Sequence, residues 1–321
     1  MANGDGDGWV ELEDGTRRWG RYGAAGLLLY GLDAAGQDRI LLQRRVWWSH
    51  QGGTWGVPGG ARDSTESSLA AAVREFTEEI RPTDFTAQWG PDALAGQLSP
   101  VGIHRQDHGR WSYDTVLARL PGCLPLRPGS RESTAVEWVP VADVANRNLH
   151  PGFAGVWPLL HELLTARPAL IVDAAAVAAM GDHDHGEPTG ADVARLHQEL
   201  RALSNNGLAA ELLPEVLREV RLRHWYPAVR LVVSGQQPDG LAEAPNDDTD
   251  DSRRPVTVVM PERTTSQPDL AATLRALVKS TAGPSVVVTT DPEVAQHCAA
   301  LGAHVRPPEW LTRALSANAT R

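Results

Sequence analysis

The 321-residue sequence contains little cysteine: only Cys123 and Cys298, which lie far apart in the chain. No disulfide framework is predicted, and a reducing compartment fits this usage. Residues 1–10 are acidic and glycine-rich, where a secretory signal would be basic and then apolar. No stretch approaches the roughly 20 consecutive apolar residues of a membrane span. We therefore expect a cytoplasmic protein without a membrane partner.

Positive charge is also scarce, since Lys279 is the only lysine and the formal net charge is −10. The 168 residues of the first part hold 20 acids against 16 bases, and the remainder holds 20 against 14. Neither part is a polycation, which disfavours a long nucleic-acid backbone as a partner. Apolar and charged fractions of 42% and 22% are those of ordinary globular proteins. Composition leaves the oligomeric state undetermined.

The length is about twice that of a typical domain, which favours two domains, and the spacing of elements places the boundary at Arg167-Pro168. We predict domains at 1–167 and 168–321. In the first, apolar runs separated by turn residues predict a mixed sheet. Its strands are expected at Tyr22–Tyr30, Arg39–Arg45, Trp111–Leu120 and Val136–Val139. Helices are expected at Glu66–Ile80, opened by Asp63, and at Val156–Ala166.

The second domain alternates apolar runs with helical stretches, which is typical of βαβ units and a mainly parallel sheet. The run Ala169–Asp173 ends in a carboxylate, as a buried parallel strand does when it delivers an acid to its carboxyl edge. Further strands are expected at Val229–Val233, Val256–Met260 and Ser285–Thr289, and helices at Ala191–Leu203 and Leu208–Arg221. The fold class is therefore α/β throughout.

The segment with the clearest chemistry joins Gly59 and Gly60 to a helix that carries Glu75, Glu78 and Glu79. At 100° per residue the three carboxylates share one helix face, beside an apolar stripe. Like charges at this spacing each cost roughly 0.2–0.5 kcal/mol, so the face calls for a compensating cation. A hard divalent ion such as Mg²⁺ suits oxygen ligands beside a phosphate. The alternative is a solvated acidic face without a ligand.

The same residues resemble the signature of the Nudix hydrolases: glycine, five residues, glutamate, seven residues, then REUXEEXGU with U a bulky apolar residue. Seven positions match at the required spacing: Gly60, Glu66, Arg74, Glu75, Phe76, Glu78 and Glu79. The match fails at the end, where Arg81 and Pro82 replace the glycine and the apolar residue. Residues 17–165 resemble in particular a MutT-like actinobacterial subgroup, through RRWGRYGAAGLLL, WSHQGGTWGVPGGARDS and LHPGF.

The resemblance implies an α/β/α sandwich around a mixed sheet and hydrolysis of a diphosphate linkage attached to a nucleoside. Glu78, Glu79 and the Gly59 carbonyl would be ligands of Mg²⁺, or alternatively Mn²⁺. Glu75 would be a ligand or the general base, Arg74 would orient it, and Glu66 would support both. Nucleoside triphosphates lead the substrate list, including oxidised guanine nucleotides such as 8-oxo-dGTP, with a monophosphate and pyrophosphate as products. The alternatives are another diphosphate compound such as ADP-ribose, or a nucleotide-binding sensor.

Two further groups complete the expected site. Glu132 lies six residues before Trp138, and MutT-type enzymes carry a metal-binding glutamate at the matching distance from a similar tryptophan. A surface acid is the alternative for Glu132, and Asp107 and Asp114 are weaker competitors for its role. For the nucleotide base, aromatic and polar side chains ahead of the glycines are candidates, although core packing is the alternative for each tryptophan. These candidates are Trp47, Trp48, His50 and Gln51.

Residues 169–313 bear a fainter resemblance to NYN domains, which have a PIN-like fold and in active members cut RNA with metal held by acids at strand ends. The resemblance implies that Asp173, Asp269 and Asp291 form the acidic cluster. Ala176 stands where an asparagine is expected, and Pro268 where a second acid would adjoin Asp269. Because these ligands are missing, we expect a degenerate domain with a structural or interaction role, and a working nuclease is the alternative.

Overall fold

The computed structural model describes residues 4–49, 51–166, 168–179, 189–219, 221–234, 256–261, 263–264, 267–281 and 283–319. The chain divides into two compact units. One comprises Met1–Leu164 with Arg221–Arg223, and the other Thr165–Val220 with His224–Arg321. Within the described ranges, no helix combines the length and apolarity needed to cross a bilayer.

The first unit is built mainly of strands. The strands are β1 (Trp9–Glu11), β2 (Arg17–Trp19), β3 (Ala24–Leu32), β4 (Asp38–Arg45), β5 (Trp55–Gly56), β6 (Gly59–Ala61), β7 (Ile80–Pro82), β8 (Ser99–Asp107), β9 (Ser112–Arg119), β10 (Leu126–Pro128) and β11 (Ser133–Pro140). The helices are α1 (Ser68–Glu79), α2 (Pro91–Ala95), α3 (Pro151–Ala154) and α4 (Trp157–Ala166), with a 3-10 helix at Val141–Asn146.

The main sheet of this unit is mixed, as the sequence predicts. Its order includes β11-β4-β3-β9-β8, in which β3 and β9 are parallel and the other neighbours are antiparallel. The short strand β6 pairs with β3, so that Gly59 lies opposite Gly26 and Gly60 opposite Ala25. A Cβ on Gly59 would overlap the backbone of β3. Glycine is therefore required for β6 to lie this close, beside the helix that follows it.

The core of the first unit lies between the sheet and α1. The leucines Leu27–Leu29 of β3 are fully buried in an unbroken run, which is expected of a strand covered on both faces. On α1, Val73 and Phe76 are buried as the predicted apolar stripe requires, and the helix packs against β3 and β6. Burying these two side chains contributes about 1.5–3 kcal/mol each. The packing fixes the face that α1 turns toward the rest of the site.

Helix α1 is shorter at its start than the sequence predicts. Ser67 is the N-cap, with its Oγ accepting from the Ala70 N–H at 3.1 Å, so the predicted opening at Asp63 is wrong. Asp63 instead accepts the Gly6 N–H at 2.9 Å. The capping-box pattern misled because a serine nearer the helix can cap it equally well.

The end of α1 explains the departure from the signature at Arg81 and Pro82. Ile80 has extended backbone (φ −119°, ψ 145°), and β7 pairs antiparallel with β10 so that Arg81 lies opposite Arg127. The chain thus leaves the helix directly into a strand. No left-handed backbone occurs at Arg81, so that position does not require glycine.

The second unit contains a parallel sheet in the order β16-β15-β12-β19-β20, as the βαβ rhythm predicts. The strands from residue 169 onward are β12 (Ala169–Asp173), β13 (Leu208–Ala209), β14 (Leu222–Trp225, whose first two residues are counted with the first unit), β15 (Ala228–Val232), β16 (Val256–Val259), β17 (Arg263–Thr264), β18 (Gln267–Pro268), β19 (Ser285–Val288) and β20 (His304–Arg306). Its helices are α5 (Ala174–Ala178), α6 (Gly190–Asn206), α7 (Glu215–Glu219), α8 (Leu270–Ser280), α9 (Pro292–Ala300) and α10 (Pro308–Ala319), with a 3-10 helix at Ala210–Leu212.

One face of that sheet packs with α8 and α9 around a core that includes Ile171, Val287 and the buried Cys298. The predicted helix at Leu208–Arg221 is wrong. The segment forms β13, the 3-10 helix and only one short helix, α7, because Leu208 and Ala209 pair with β14 and Pro214 interrupts the helical pattern.

Candidate functional site

Arg74, on the second turn of α1, is the centre of an ion-pair network. Its Nε and Nη2 donate to the two carboxylate oxygens of Glu66, each at 2.9 Å, and Nη1 donates to Glu75 Oε1 at 2.8 Å. Nη2 also donates to the Ala61 carbonyl at 2.8 Å. The planar fork of an arginine binds one carboxylate through two nitrogens and still has donors for a second carboxylate and a carbonyl. The structure therefore brings Glu66, Arg74 and Glu75 together, and fixes Glu75 against the end of β6.

Glu75 lies close against the glycine strand. A Cβ on Gly60 would stand 2.5 Å from the Glu75 carboxylate, so a side chain at position 60 would displace it. Burial raises the pKa of Glu75 above its ordinary value, and the Arg74 guanidinium partly opposes that rise. A carboxylate whose pKa is raised toward neutrality is a better proton acceptor than an exposed one.

Glu79 is the least exposed of the three helix carboxylates, at 7%. Its Oε2 accepts two hydrogen bonds, from Gln43 Nε2 at 2.9 Å and from the Gly59 N–H at 3.0 Å. Burial raises the pKa of Glu79 to about 8, and the negative charges of Glu75 and Glu132 add to that rise. Both donors to this buried carboxylate are neutral, and the charged neighbours Glu75 and Glu132 are negative, so an added cation would favour its ionised form.

Glu78 and Glu132 are the accessible members of the group. The Glu78 side chain is 52% exposed and lies 3.6 Å from Arg74 Nη1. Glu132 is exposed and precedes β11, and its carbonyl accepts the Val46 N–H at 2.9 Å. Its charge acts on Glu79, which places it beside the group even though the two residues are 53 positions apart in sequence.

The weaker candidates Asp107 and Asp114 are engaged elsewhere. Asp114 is buried and accepts from Arg105 Nε and Nη2, each at 2.7 Å, and from Ser68 Oγ at 2.5 Å. Asp107 accepts the Gly109 N–H at 2.9 Å in an exposed turn. Of the three acids proposed for the downstream position, Glu132 is the one whose charge acts on Glu79.

The donor set fits a hard divalent cation. In the conformation described, no three His, Cys, Asp or Glu side chains of the described residues already form a ligand group. The buried charge of Glu79, the glycine at position 60 against Glu75 and the oxygen-only chemistry of the donors nevertheless match what Mg²⁺ or Mn²⁺ binds. The residues that could hold such an ion are Gly59, Glu75, Glu78, Glu79 and Glu132.

A pocket of about 290 Å³ opens beside this group, and Gly59 lines it. Its walls come from the amino-terminal hairpin, β4, β9 and the region around α3. The lining residues are Arg18, Gln43, Arg45, Gln51, Gly56, Val57, Gly59, Gln106, His108, Trp111, Tyr113, Thr115, His150, Pro151, Gly152, Phe153 and Val156. Aromatic surface and polar groups are thus combined in one cavity, as in small-molecule sites generally.

Of the predicted base contacts that the structure describes, Trp47, Trp48 and Gln51, it is Gln51 that lines the pocket. Trp47 and Trp48 are 81% and 60% exposed and are absent from its walls, and His50 lies outside the described residues. Sequence reasoning missed Trp111 and Phe153. A signal for Trp111 was present, because Trp111, Tyr113 and Thr115 alternate along the β9 segment and therefore share one face.

Arg18 is another pocket residue that the sequence did not single out. Its guanidinium carbon lies 5.9 Å from the Trp111 ring centroid, within cation–π range. Its Nε is buried and, among the described residues, has no hydrogen-bond partner. A donor left in that position is available to a ligand that enters the pocket.

In the second unit, each predicted acid caps a helix. The Asp269 carboxylate accepts the Ala272 N–H at 2.7 Å at the start of α8, and Asp291 accepts the Val294 N–H at 3.0 Å at the start of α9. Asp173, which caps α5, is buried and also accepts from Thr289 Oγ1 at 3.0 Å. Burial is the main cause that raises the pKa of Asp173, and the charge of Asp291 adds to it.

Comparison with known proteins places the first unit. The NUDIX domain family matches residues 23–163. A protein of Mycobacterium tuberculosis named "Putative 8-oxo-dGTP diphosphatase 3" is 45% identical over 160 residues, which are 50% of this chain and 71% of that protein. A Nucleoside triphosphate pyrophosphatase/Nudix hydrolase fusion protein of Bifidobacterium longum is 39% identical over 172 residues, covering 50% of this chain and 33% of the relative.

Among solved structures, a Nudix hydrolase from M. smegmatis, RenU, is 42% identical with a TM-score of 0.43, covering 50% of this chain and 95% of that one. The family match and the 45% identical relative agree with the signature built around Arg74. The chain therefore belongs to the Nudix hydrolases and is a hydrolase that acts on phosphorus anhydride bonds.

Proposed function

We propose that the protein is a Mg²⁺-dependent pyrophosphohydrolase, with Mn²⁺ as an alternative ion, that converts nucleoside triphosphates to nucleoside monophosphates and pyrophosphate. The observation that carries this proposal is the position of Gly59. It lines the pocket and donates its N–H to Glu79 Oε2 at 3.0 Å, so a single residue joins the pocket to the helix carboxylates. A nucleotide in the pocket would thereby bring its phosphates to the acidic group.

The residues of the acidic group and its arginine have distinct roles in this proposal. Gly59, Glu75, Glu78, Glu79 and Glu132 would hold the ion. A divalent cation held there would neutralise phosphate oxygens and make a water molecule more acidic. Glu75 is positioned by Arg74 and has a raised pKa, which suits it to accept the proton of the attacking water. Glu66 acts through Arg74, whose fork it holds in place.

The pocket supports a nucleoside as the recognised group. Trp111 and Phe153 offer flat surfaces to a base, and Gln51, Gln106 and His108 offer hydrogen-bonding groups. A volume of about 290 Å³ is close to the lower end of ligand sites. Since a 45% identical relative is named for 8-oxo-dGTP, oxidised guanine nucleotides are the leading substrates within this class.

Product analysis tests the proposal. The full chain is incubated with dNTPs, 8-oxo-dGTP, ADP-ribose, NADH and dinucleoside polyphosphates, each with Mg²⁺ and with EDTA. We expect pyrophosphate and a monophosphate from at least one triphosphate, and no product with EDTA. Turnover of ADP-ribose alone would move the assignment to another diphosphate compound. Tight nucleotide binding with no turnover would make the protein a nucleotide sensor.

For residues 168–321 we propose a degenerate NYN/PIN-like domain without nuclease activity. Two-metal phosphodiester cleavage needs several fixed oxygens that are free to hold ions. Asp173, Asp269 and Asp291 instead accept the N–H groups of helix starts. The full chain should leave single-stranded RNA intact in Mg²⁺ or Mn²⁺; cleavage that the Asp173→Asn substitution removes would refute this.

A further inference from the structure

Gln43 and Ser133 form a buried hydrogen-bonded chain that ends on Glu79. Ser133 Oγ donates to Gln43 Oε1 at 2.5 Å, and Gln43 Nε2 donates to Glu79 Oε2 at 2.9 Å. Gln43 and Ser133 are 2% and 8% exposed, and both lie in the sheet, on β4 and β11. The chain therefore links two strands to the carboxylate at the end of α1.

The direction of this chain follows from its chemistry. Glu79 accepts through Oε2, so the Gln43 amide turns its NH₂ toward Glu79 and its oxygen toward Ser133. The serine hydroxyl supplies the donor that this oxygen needs. Position 43 must offer a donor to Glu79, and glutamine does so while its oxygen accepts from Ser133.

The two donors on Glu79 meet at a single oxygen. The Gln43 amide and the Gly59 N–H both bind Oε2. Within the hydrogen bonds of the described residues, none reaches Oε1. A carboxylate held at one oxygen by two fixed donors has a defined plane, and its second oxygen is available for an ion. Groups of this kind set the orientation of a metal ligand without touching the metal.

We infer that Gln43, oriented by Ser133, is a positioning residue that fixes Glu79 for divalent-cation binding. This inference rests on the proposed function, because Glu79 is a ligand only under that proposal. Gln43 also lines the nucleotide pocket, so loss of activity in a variant would not separate an effect on the metal from an effect on the substrate.

Measuring metal binding in the absence of substrate separates an effect on the ion from an effect on the nucleotide. Binding of Mn²⁺ to the full chain is measured by the loss of the free-ion electron paramagnetic resonance signal. Gln43→Met keeps the volume and removes the donor, and we expect it to weaken Mn²⁺ binding by about 10-fold or more. Ser133→Ala should weaken binding in the same direction, whereas Ser133→Thr, which keeps the hydroxyl, should stay within about twofold of the parent on the same reasoning.

Ser204→Ala is the matched control, because Ser204 is also a buried serine and donates to the Pro227 carbonyl at 2.7 Å, in the second unit. It should leave Mn²⁺ binding unchanged. Activity of Gln43→Met should recover at saturating Mg²⁺ if the defect is in ion affinity. Thermal unfolding in EDTA identifies any variant that fails to fold. If Gln43→Met does not fold, the comparison of Ser133→Ala with Ser133→Thr tests the inference in its place.

Two results would overturn the inference. If folded Gln43→Met and Ser133→Ala bind Mn²⁺ as tightly as the parent, Gln43 does not position a ligand, and the proposed function is unaffected. If the parent chain itself binds no Mn²⁺, the proposed metal-dependent function fails and the inference fails with it. A loss of binding in Ser133→Ala that Ser133→Thr does not repair would show a packing effect and also reject the role.

Discussion

Replacing Glu79 with glutamine should stabilise the metal-free protein while it abolishes hydrolysis. The buried Glu79 carboxylate has its pKa raised from 4.5 to about 8. For an acid, a raised pKa means that the fold disfavours the charged form. The destabilisation is absent below pH 4.5, grows as pH rises and is complete above pH 8. Glutamine has no charge and escapes this cost.

The magnitude follows from the two pKa values. Between pH 5 and pH 8, the free energy of unfolding of the parent should fall by on the order of 3 kcal/mol because Glu79 ionises. The Glu79→Gln variant does not undergo this loss. The new amide adds an NH₂ that needs an acceptor, a cost of about 1–3 kcal/mol. This cost does not depend on pH. The comparison across pH therefore isolates the contribution of the charge.

The assay is calorimetry of the parent and the variant in EDTA at pH 5 and pH 8. The unfolding transition of the first unit is identified as the one whose melting temperature Mn²⁺ raises in the parent protein. One kcal/mol corresponds to about 2–4 °C in melting temperature for a unit of this size. The melting temperature of the variant minus that of the parent should therefore be roughly 6–12 °C larger at pH 8 than at pH 5. Mn²⁺ should stabilise the parent and leave the variant unchanged. A difference that is constant with pH, or that shifts toward the parent, would refute the reasoning.

Three other expected outcomes follow from the same structure. Arg74→Lys should lower kcat by about 10-fold or more, because lysine lacks the guanidinium fork that fixes Glu75. The control Arg81→Lys, in β7, should retain activity, and steady-state kinetics compares the two variants. Trp111→Ala should raise KM for nucleoside triphosphates by about 10-fold with a smaller effect on kcat, as loss of base stacking requires; an unchanged KM would remove Trp111 from substrate binding. Asp173→Asn should gain stability relative to the parent as pH rises from 4 to 7, since burial raises the Asp173 pKa; urea unfolding at the two values would contradict this if the gain shrank.

The sequence alone was sufficient for features that depend on local spacing. The positions from Gly60 to Glu79 lie on one short strand, the turn that follows it and one helix, so their separation in the chain largely determines their separation in space. Strands β3, β4 and β9 were predicted because a buried strand appears in the sequence as a run of consecutive apolar residues. The parallel sheet of the second unit was predicted for the same reason.

Other local features were missed where the pattern is broken. Strand β8 (Ser99–Asp107) was not predicted, because proline, glycine and charged residues interrupt its alternation, and pairing with β9 is what makes it a strand. The first turn of α1 was misplaced because several residues ahead of it can act as caps.

Only the tertiary structure decided how the carboxylates differ. On the helix Glu75, Glu78 and Glu79 are equivalent acids, yet Glu79 is buried against Gln43, 36 residues earlier in the chain, and Glu78 is exposed. The pocket depended equally on distant contacts, since Trp111 and Phe153 line it while the adjacent pair Trp47 and Trp48 stands in solvent. Charge and burial depend on every group within a few ångströms, and those groups come from strands that sequence spacing does not bring together.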